Sequence, residues 1–297
     1  MTTNKITITL TLFSLFVFAN SNAQEEIKKV KITEITLLPS AFSESNPTGS
    51  IEDFYSLAPS SIQLPSNFDG YETSDYTQNS GGFSTSILLG IKFSNKDGSA
   101  YKANPILRAG LTYTYAQNLS SFANNEVRTP YDTLISSSTG EKYTMDSVLI
   151  TGYDMHYVTQ QFKLDVSVLF RTNPEARWSL FTGLGAQFGA SINAKTQTHK
   201  YEGFYISNSM VTEEIHFVQS QNQQYQTEEF INQNVLVFST YVPLGIDFRV
   251  SNNNDLLKHV HLFYEMRPSL NVTYIPELRT LTNPAIQHGI GMKAQWN

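Results

Sequence analysis

The residues with the strongest capacity for chemistry come in opposite-charge pairs two positions apart: Lys163 with Asp165, and Glu265 with Arg267. Arg108, Asp247, Arg249 and Lys293 occupy comparable positions in segments of the same alternating kind. A spacing of two on a strand points both side chains to one face. There, charges from different strands can meet and cancel, which is the chemistry of an ion-pair network and not of turnover. Residues suited to turnover are sparser. His156, His199 and His288, with Ser191 and Asp154, are the types that a lipid-modifying barrel would use near its outer rim to attack an acyl ester. Zinc-protease spacing is missing, because the stretch EEIHF at 213–217 has no second His at helical distance and His259 and His261 stand at strand spacing. The glycines of TGLGAQFGA lie inside an alternating segment and do not open a helix, so they make no phosphate loop. With no Cys in the chain, thiolate chemistry and disulfides are excluded. The sequence thus assigns no catalytic, cofactor-binding or metal residue.

The elements that would position these charges are strands. RWSLFTGLGAQFGASINA, 177–194, alternates Trp178, Leu180, Leu184 and Phe188 with a second set that is mostly Gly and Ser. An open surface would carry long charged side chains on its second face, so small residues there fit a cramped interior. Eight segments share this alternation: 30–38, 83–93, 106–117, 158–171, 178–193, 235–250, 260–274 and 285–296. In nearly all of them the charged residues share one face and the large apolar residues the other. An even strand number suits a closed antiparallel bacterial barrel. Short turns rich in Asn, Asp, Gly and Pro alternate with long polar segments at 41–82, 118–157 and 194–234. That sorting sends long loops to one rim and tight turns to the other.

Aromatic positions support the same topology. Phe93, Phe170, Trp178, Phe248 and Trp296 fall at the tight-turn ends of their strands, and Phe83, Tyr115, Phe188 and Tyr274 at the opposite ends. These are the two girdles expected where a lipid-facing wall meets water. The expected fold is therefore all-β: an eight-stranded antiparallel up-and-down transmembrane β-barrel with long extracellular loops. Inside it, Lys163, Asp165, Glu265 and Arg267 reach similar heights and are expected to pair across the lumen, with Arg108, Asp247, Arg249 and Lys293 in a second layer nearer the turns.

Lys5, the apolar run from Ile6 to Phe18 and the small residues Ser21 and Ala23 predict a signal peptide over 1–23, cleaved after Ala23, ahead of a barrel domain at 24–297. A net charge of −6, with no basic cluster longer than Lys28, Lys29 and Lys31, argues against nucleic acid as a partner. The first long segment is acidic, and its Ser50 and Asp53 make a capping-box pair that predicts one short helix at FYSLAP. It is read as a solvated acidic loop. The third long segment is amide-rich and carries Tyr, the composition of an adaptable contact surface.

The leader ending SNAQ, followed by FSTSILLGIKFS, ILRAGLTYTY, WSLFTGLGAQFGASI, YVPLGIDFRV and the closing HGIGMKAQW, resembles the small outer-membrane protein β-barrel domains common in Bacteroidota. The resemblance runs from about Gly82 to the end, and such barrels usually close on an aromatic residue, whereas Asn297 follows Trp296 here. It implies a cell outer-membrane location and lipid as a partner, with no cofactor and no shared catalytic residue. The role it implies is structural or interactive, through external loops that meet other outer-membrane or surface proteins, as in an accessory subunit of a larger complex. Two alternatives stay open at this point: the lipid-modifying enzyme, and a secreted lipocalin-like barrel with its apolar face turned inward around a small ligand.

Overall fold

The structure, a computed structural model, describes residues 30–45, 49–73, 79–93, 105–172, 176–208, 224–254 and 257–296. The expected leader at 1–23 lies outside them. The strands are β1 (Val30–Ser45), β2 (Glu72–Thr73), β3 (Asn79–Phe93), β4 (Ile106–Ile135), β5 (Lys142–Arg171), β6 (Trp178–Asn208), β7 (Gln224–Ile231), β8 (Leu236–Tyr241), β9 (Leu244–Arg249), β10 (Val260–Tyr274) and β11 (Thr280–Gln295), and the one α-helix among the described residues is α1 (Ile51–Leu57). Every pairing is antiparallel, and β1 bonds to β3 on one side and β11 on the other, so the sheet closes. β8 and β9 act as one wall strand. Pro243 has no N–H to give the ladder, yet Tyr241↔Ser269 and Leu244↔Met266 show that the register against β10 continues across the break. Counting them together, the ring has eight staves. It is an up-and-down transmembrane barrel, with its apolar face outside, the reverse of a lipocalin-like calyx.

Two segments expected as loops, 118–157 and 194–234, are largely sheet among the described residues. β4 and β5 run on past the ring as a hairpin that pairs to Ile135↔Lys142, and β6 continues to Asn208 with β7 alongside it. The reason lies in two bulges. Asn118 on β4 and Ile192 on β6 are extra residues flanking β5, and each shifts the register. One extra residue moves every later side chain to the opposite face. On β6 the outer set is the exposed Leu180, Leu184 and Phe188 below the bulge and Ile192 at it, and the half-buried Lys195, Gln197 and His199 above it. On β5, which needs no bulge, the outer set turns from Phe162, Leu164 and Val166 to Gln160, His156 and Asp154. On β4 the apolar side chains Leu119 and Ala123 turn inward above the bulge and are buried. The outer wall thus changes from lipid-compatible to water-compatible where the inner wall changes from polar to apolar.

The predicted girdle residues Phe83, Phe93, Tyr115, Phe170, Trp178, Phe188, Tyr274 and Trp296 all face outward and are exposed. Phe248 is half-buried, with the Trp178 ring 4.4 Å away. Phe83 and Tyr115 are register partners at one rim, and Trp178 and Phe248 at the other.

The first long segment is a cap and not a solvated loop. Ser50 Oγ accepts from the Asp53 N–H at 3.2 Å, and the Ser50 N–H donates to Asp53 Oδ2 at 3.0 Å. This reciprocal box starts α1, which drops Phe54 and Leu57 into the barrel mouth among Leu119, Tyr153, Met155, Tyr157, Val235 and Ile275. Arg279 clamps Asp53 with two bonds of 3.0 Å, and Asn232 Nδ2 donates to the Leu57 carbonyl at 2.8 Å. Phe68 and Tyr71 pack on Tyr153 from above, and the burial raises the Tyr153 hydroxyl above its usual pKa. Asp75 of the same acidic segment lies outside the described residues.

Glycine faces the bore where a ring must cross it. A Cβ on Gly245 would lie 2.2 Å from Phe181 Cζ and 2.4 Å from the Tyr264 carbonyl oxygen. Gly245→Ala should therefore destabilise the barrel by about 1–3 kcal/mol, the usual range for overpacking. Urea unfolding in detergent measures this.

Candidate functional site: a layered, self-neutralising interior

Below the cap the bore is filled in layers. In the upper ionic tier, Arg108 of β4 donates to Glu265 of β10 through both terminal nitrogens, at 2.8 and 2.9 Å. Arg267 Nε donates to the same carboxylate at 2.6 Å, and its Nη1 donates to Asp165 Oδ2 of β5 at 3.0 Å. Asp165 also accepts from Gln187 Nε2 at 2.8 Å, from Thr112 Oγ1 at 3.2 Å and from the Tyr241 hydroxyl. The Arg267 guanidinium lies over the Tyr241 ring, 4.7 Å from its centroid. Two guanidiniums and two carboxylates meet, all at most 2% exposed. Such a tier holds only if every charge finds a partner, because an isolated ion costs several kcal/mol in a dry interior.

An apolar layer of Leu38, Ile106, Leu169, Phe181 and Phe263 lies beneath. It separates the upper tier from a lower one near the tight turns. There Lys293 Nζ donates to Asp247 Oδ2 at 2.5 Å, and His261 Nδ1 lies 3.0 Å from Asp247 Oδ1. Arg171 donates to Glu34 at 2.7 Å and to Gln295 at 3.0 Å.

The structure redistributes the residues named from the sequence. Asp165, Glu265 and Arg267 come together across the bore. Arg108 belongs with them and not in the lower layer, because the diagonal reach of its guanidinium carries it to Glu265. Asp247 and Lys293 share the lower tier, with Arg249 as the register partner of His261 beside them. Lys163 is buried but makes no ion pair among the described residues; it lines a separate polar chamber above Asp165. Glu34 and Arg171 were missed. Arg171 shares the parity of Lys163 and Asp165, a signal present in the sequence, whereas the bulge between Ile32 and Glu34 hides the parity of Glu34.

Of the residues of the acyl-transfer alternative, Asp154, His156 and His199 lie together on the outer wall, apart from Ser191 and His288. Ser191 points inward, its hydroxyl accepting from the Val235 N–H at 2.8 Å, while His156 stands on the outer wall, 3.0 Å from Asp154. His199 is beside His156, with ring centroids 6.1 Å apart. His288 lies on the outer face of β11, where Nδ1 meets the Tyr264 hydroxyl at 2.6 Å. No group of three His, Cys, Asp or Glu side chains suited to a metal ion occurs among the described residues.

No protein-family model matches the chain, and no curated protein matches it in sequence. Among solved structures, the chain is similar to neisserial surface protein A, at 10% identity over 89% of this chain and 97% of that one, with a TM-score of 0.30. It is also similar to Ail, the attachment invasion locus protein of Yersinia pestis, in complex with the heparin analogue sucrose octasulfate, at 11% identity over 90% and 100% of the two chains and a TM-score of 0.25. A third similarity is to the transport unit of the autotransporter AIDA-I from Escherichia coli, at 10% identity over 95% and 97%, with a TM-score of 0.19.

Removing Glu265 would leave Arg108 and Arg267 facing each other in a buried tier. Glu265→Ala should cost about 3–5 kcal/mol, the range for breaking a buried pair from one side, measured by urea unfolding in detergent. Loss below about 1 kcal/mol would mean that water screens the tier.

Proposed function

We propose that this protein is an outer-membrane barrel that serves as a structural and contact element, an accessory subunit whose projecting sheet engages other envelope or surface proteins. The observation that carries this reading is the combination of a filled bore with an ordered extension. Two ionic tiers, an apolar layer and a helical cap occupy the lumen from rim to rim, so transport through it has no path. β4 to β7 meanwhile extend well beyond the point where the outer wall turns polar, and a sheet held by continuous pairing offers a preformed surface at low entropic cost. On its wall, Lys195 Nζ pairs with Glu229 at 2.5 Å, which lowers the Glu229 pKa from its ordinary value. Residues 1–23 would direct export and be removed after Ala23, and the apolar wall between the aromatic girdles would sit in outer-membrane lipid.

Fractionation and native purification test the two halves of this reading. The protein should partition with outer membranes, require detergent for extraction, and copurify with at least one further envelope protein. Recovery in the soluble fraction without detergent would contradict the membrane assignment, and purification only as a lone monomer would contradict the accessory role. In a planar bilayer the purified protein should give no steady ion current. A stable open level would show that the bore conducts.

A further inference from the structure

A hydrogen-bonded polar pair interrupts the apolar outer wall. Tyr264 of β10 and His288 of β11 are both exposed, and the Tyr264 hydroxyl meets His288 Nδ1 at 2.6 Å with the two rings stacked, centroids 6.1 Å apart. Ile290 is the register partner of Tyr264, and Met266 that of His288. Exposed apolar side chains continue along both strands on either side of the pair: Leu262 and Leu270 on β10, Ile286 and Met292 on β11. The pair therefore lies inside the belt between the girdles, at a depth where lipid offers only hydrocarbon.

The hydrogen bonding of this pair is incomplete. A neutral imidazole has one donor and one acceptor nitrogen, and a phenol hydroxyl both donates and accepts. If the hydroxyl donates to Nδ1, the Nε2–H and a phenol lone pair are left over; if Nδ1–H donates to the hydroxyl, Nε2 and the phenol O–H are left over. Either tautomer presents one donor and one acceptor, and neither side chain has a further hydrogen bond among the described residues. Acyl chains satisfy neither group. A second copy in the same orientation satisfies both, because a twofold axis along the membrane normal keeps every group at its own depth and sets donor against acceptor reciprocally. On β1 the adjoining outward residues, Pro39 and Ala41, are exposed and short, and Ala41 is the register partner of His288. Small residues there let a second wall approach closely.

We propose that the lipid-facing wall of β10 and β11 is a dimer interface between two parallel copies of this chain, centred on Tyr264 and His288, which hydrogen-bond across the twofold axis. The interface lies within the membrane, apart from the projecting sheet of β4 to β7, and is independent of the contact role proposed above.

The chain has no Cys, so a single introduced cysteine reports the contact. In the full chain reconstituted in phosphatidylcholine vesicles at a large lipid excess, Ile290→Cys should form a disulfide-linked dimer on oxidation. Leu164→Cys, on the exposed outer face of β5 across the ring, should not. Adding Tyr264→Phe and His288→Leu should lower crosslinking at position 290 by about fivefold, the effect expected of losing polar contacts within a bilayer. Both side chains point out of the barrel, so the heat-dependent gel mobility of the folded form should be kept. Tyr264→Phe alone deletes a single oxygen, and should lower crosslinking by about twofold even if the double replacement fails to fold. Absence of crosslinking at position 290, or equal crosslinking at positions 290 and 164, would overturn the proposal. Crosslinking at position 290 that none of these replacements weakens would overturn it equally.

Discussion

Glu265 is the carboxylate around which the interior is organised, because Arg108 from β4 and Arg267 from its own strand both close on it, and Arg267 passes the charge on to Asp165. An eight-stranded ring is narrow enough that inward side chains from opposite walls must touch. Any charge placed there has to be answered by another charge from across the bore. This requirement explains why acids and bases stand on one face of so many strands, why the opposing positions are Gly, Ser and Thr, and why the tiers are separated by rings that glycine clears space for. A polar lumen in a wide barrel could be watered; here it is built of side chains.

The same wall has to satisfy lipid outside and then water higher up, without changing its backbone geometry. The bulges at Asn118 and Ile192 accomplish this by reversing the faces of β4 and β6, with pairing to β5 resuming one residue out of register above each. Above them the inner face is apolar, and α1 supplies what it needs, with Phe54 and Leu57 seated on Tyr153, Met155 and Tyr157. The cap is therefore a consequence of the face reversal: an apolar inner wall open to water would be unfavourable by roughly 25 cal/mol for each Å² left uncovered.

Much of the barrel wall is legible in the sequence because its signal is local. Alternation in 178–193 or 260–274 marks the strand and its faces together, and the placement of Trp178 and Trp296 marks a rim. What escapes is what depends on partners far along the chain. The hairpin of β4 and β5 carries polar, Asn- and Thr-containing stretches that resemble loop, and only its pairing makes it sheet. The capping box at Ser50 announces a helix, yet nothing local tells that Phe54 meets residues of β4, β5 and β6. In the bore, parity separates inward from outward charges but does not say which partner an Arg reaches: Arg108 pairs diagonally with Glu265, and Arg171 at a strand end pairs with Glu34 beside a bulge. Lys163 and Asp165 share a face two residues apart and still belong to different surroundings.

The central claim is that the apolar wall faces lipid, with both tryptophans of the chain at one membrane boundary. Depth-dependent quenching of tryptophan fluorescence by brominated lipids tests it directly in reconstituted bilayers. Trp178 and Trp296, read singly after replacing the other with Phe, should each be quenched most by bromines nearest the headgroups and progressively less by deeper ones. Emission of either residue that no brominated lipid quenches, or quenching strongest from the bilayer centre, would contradict the account.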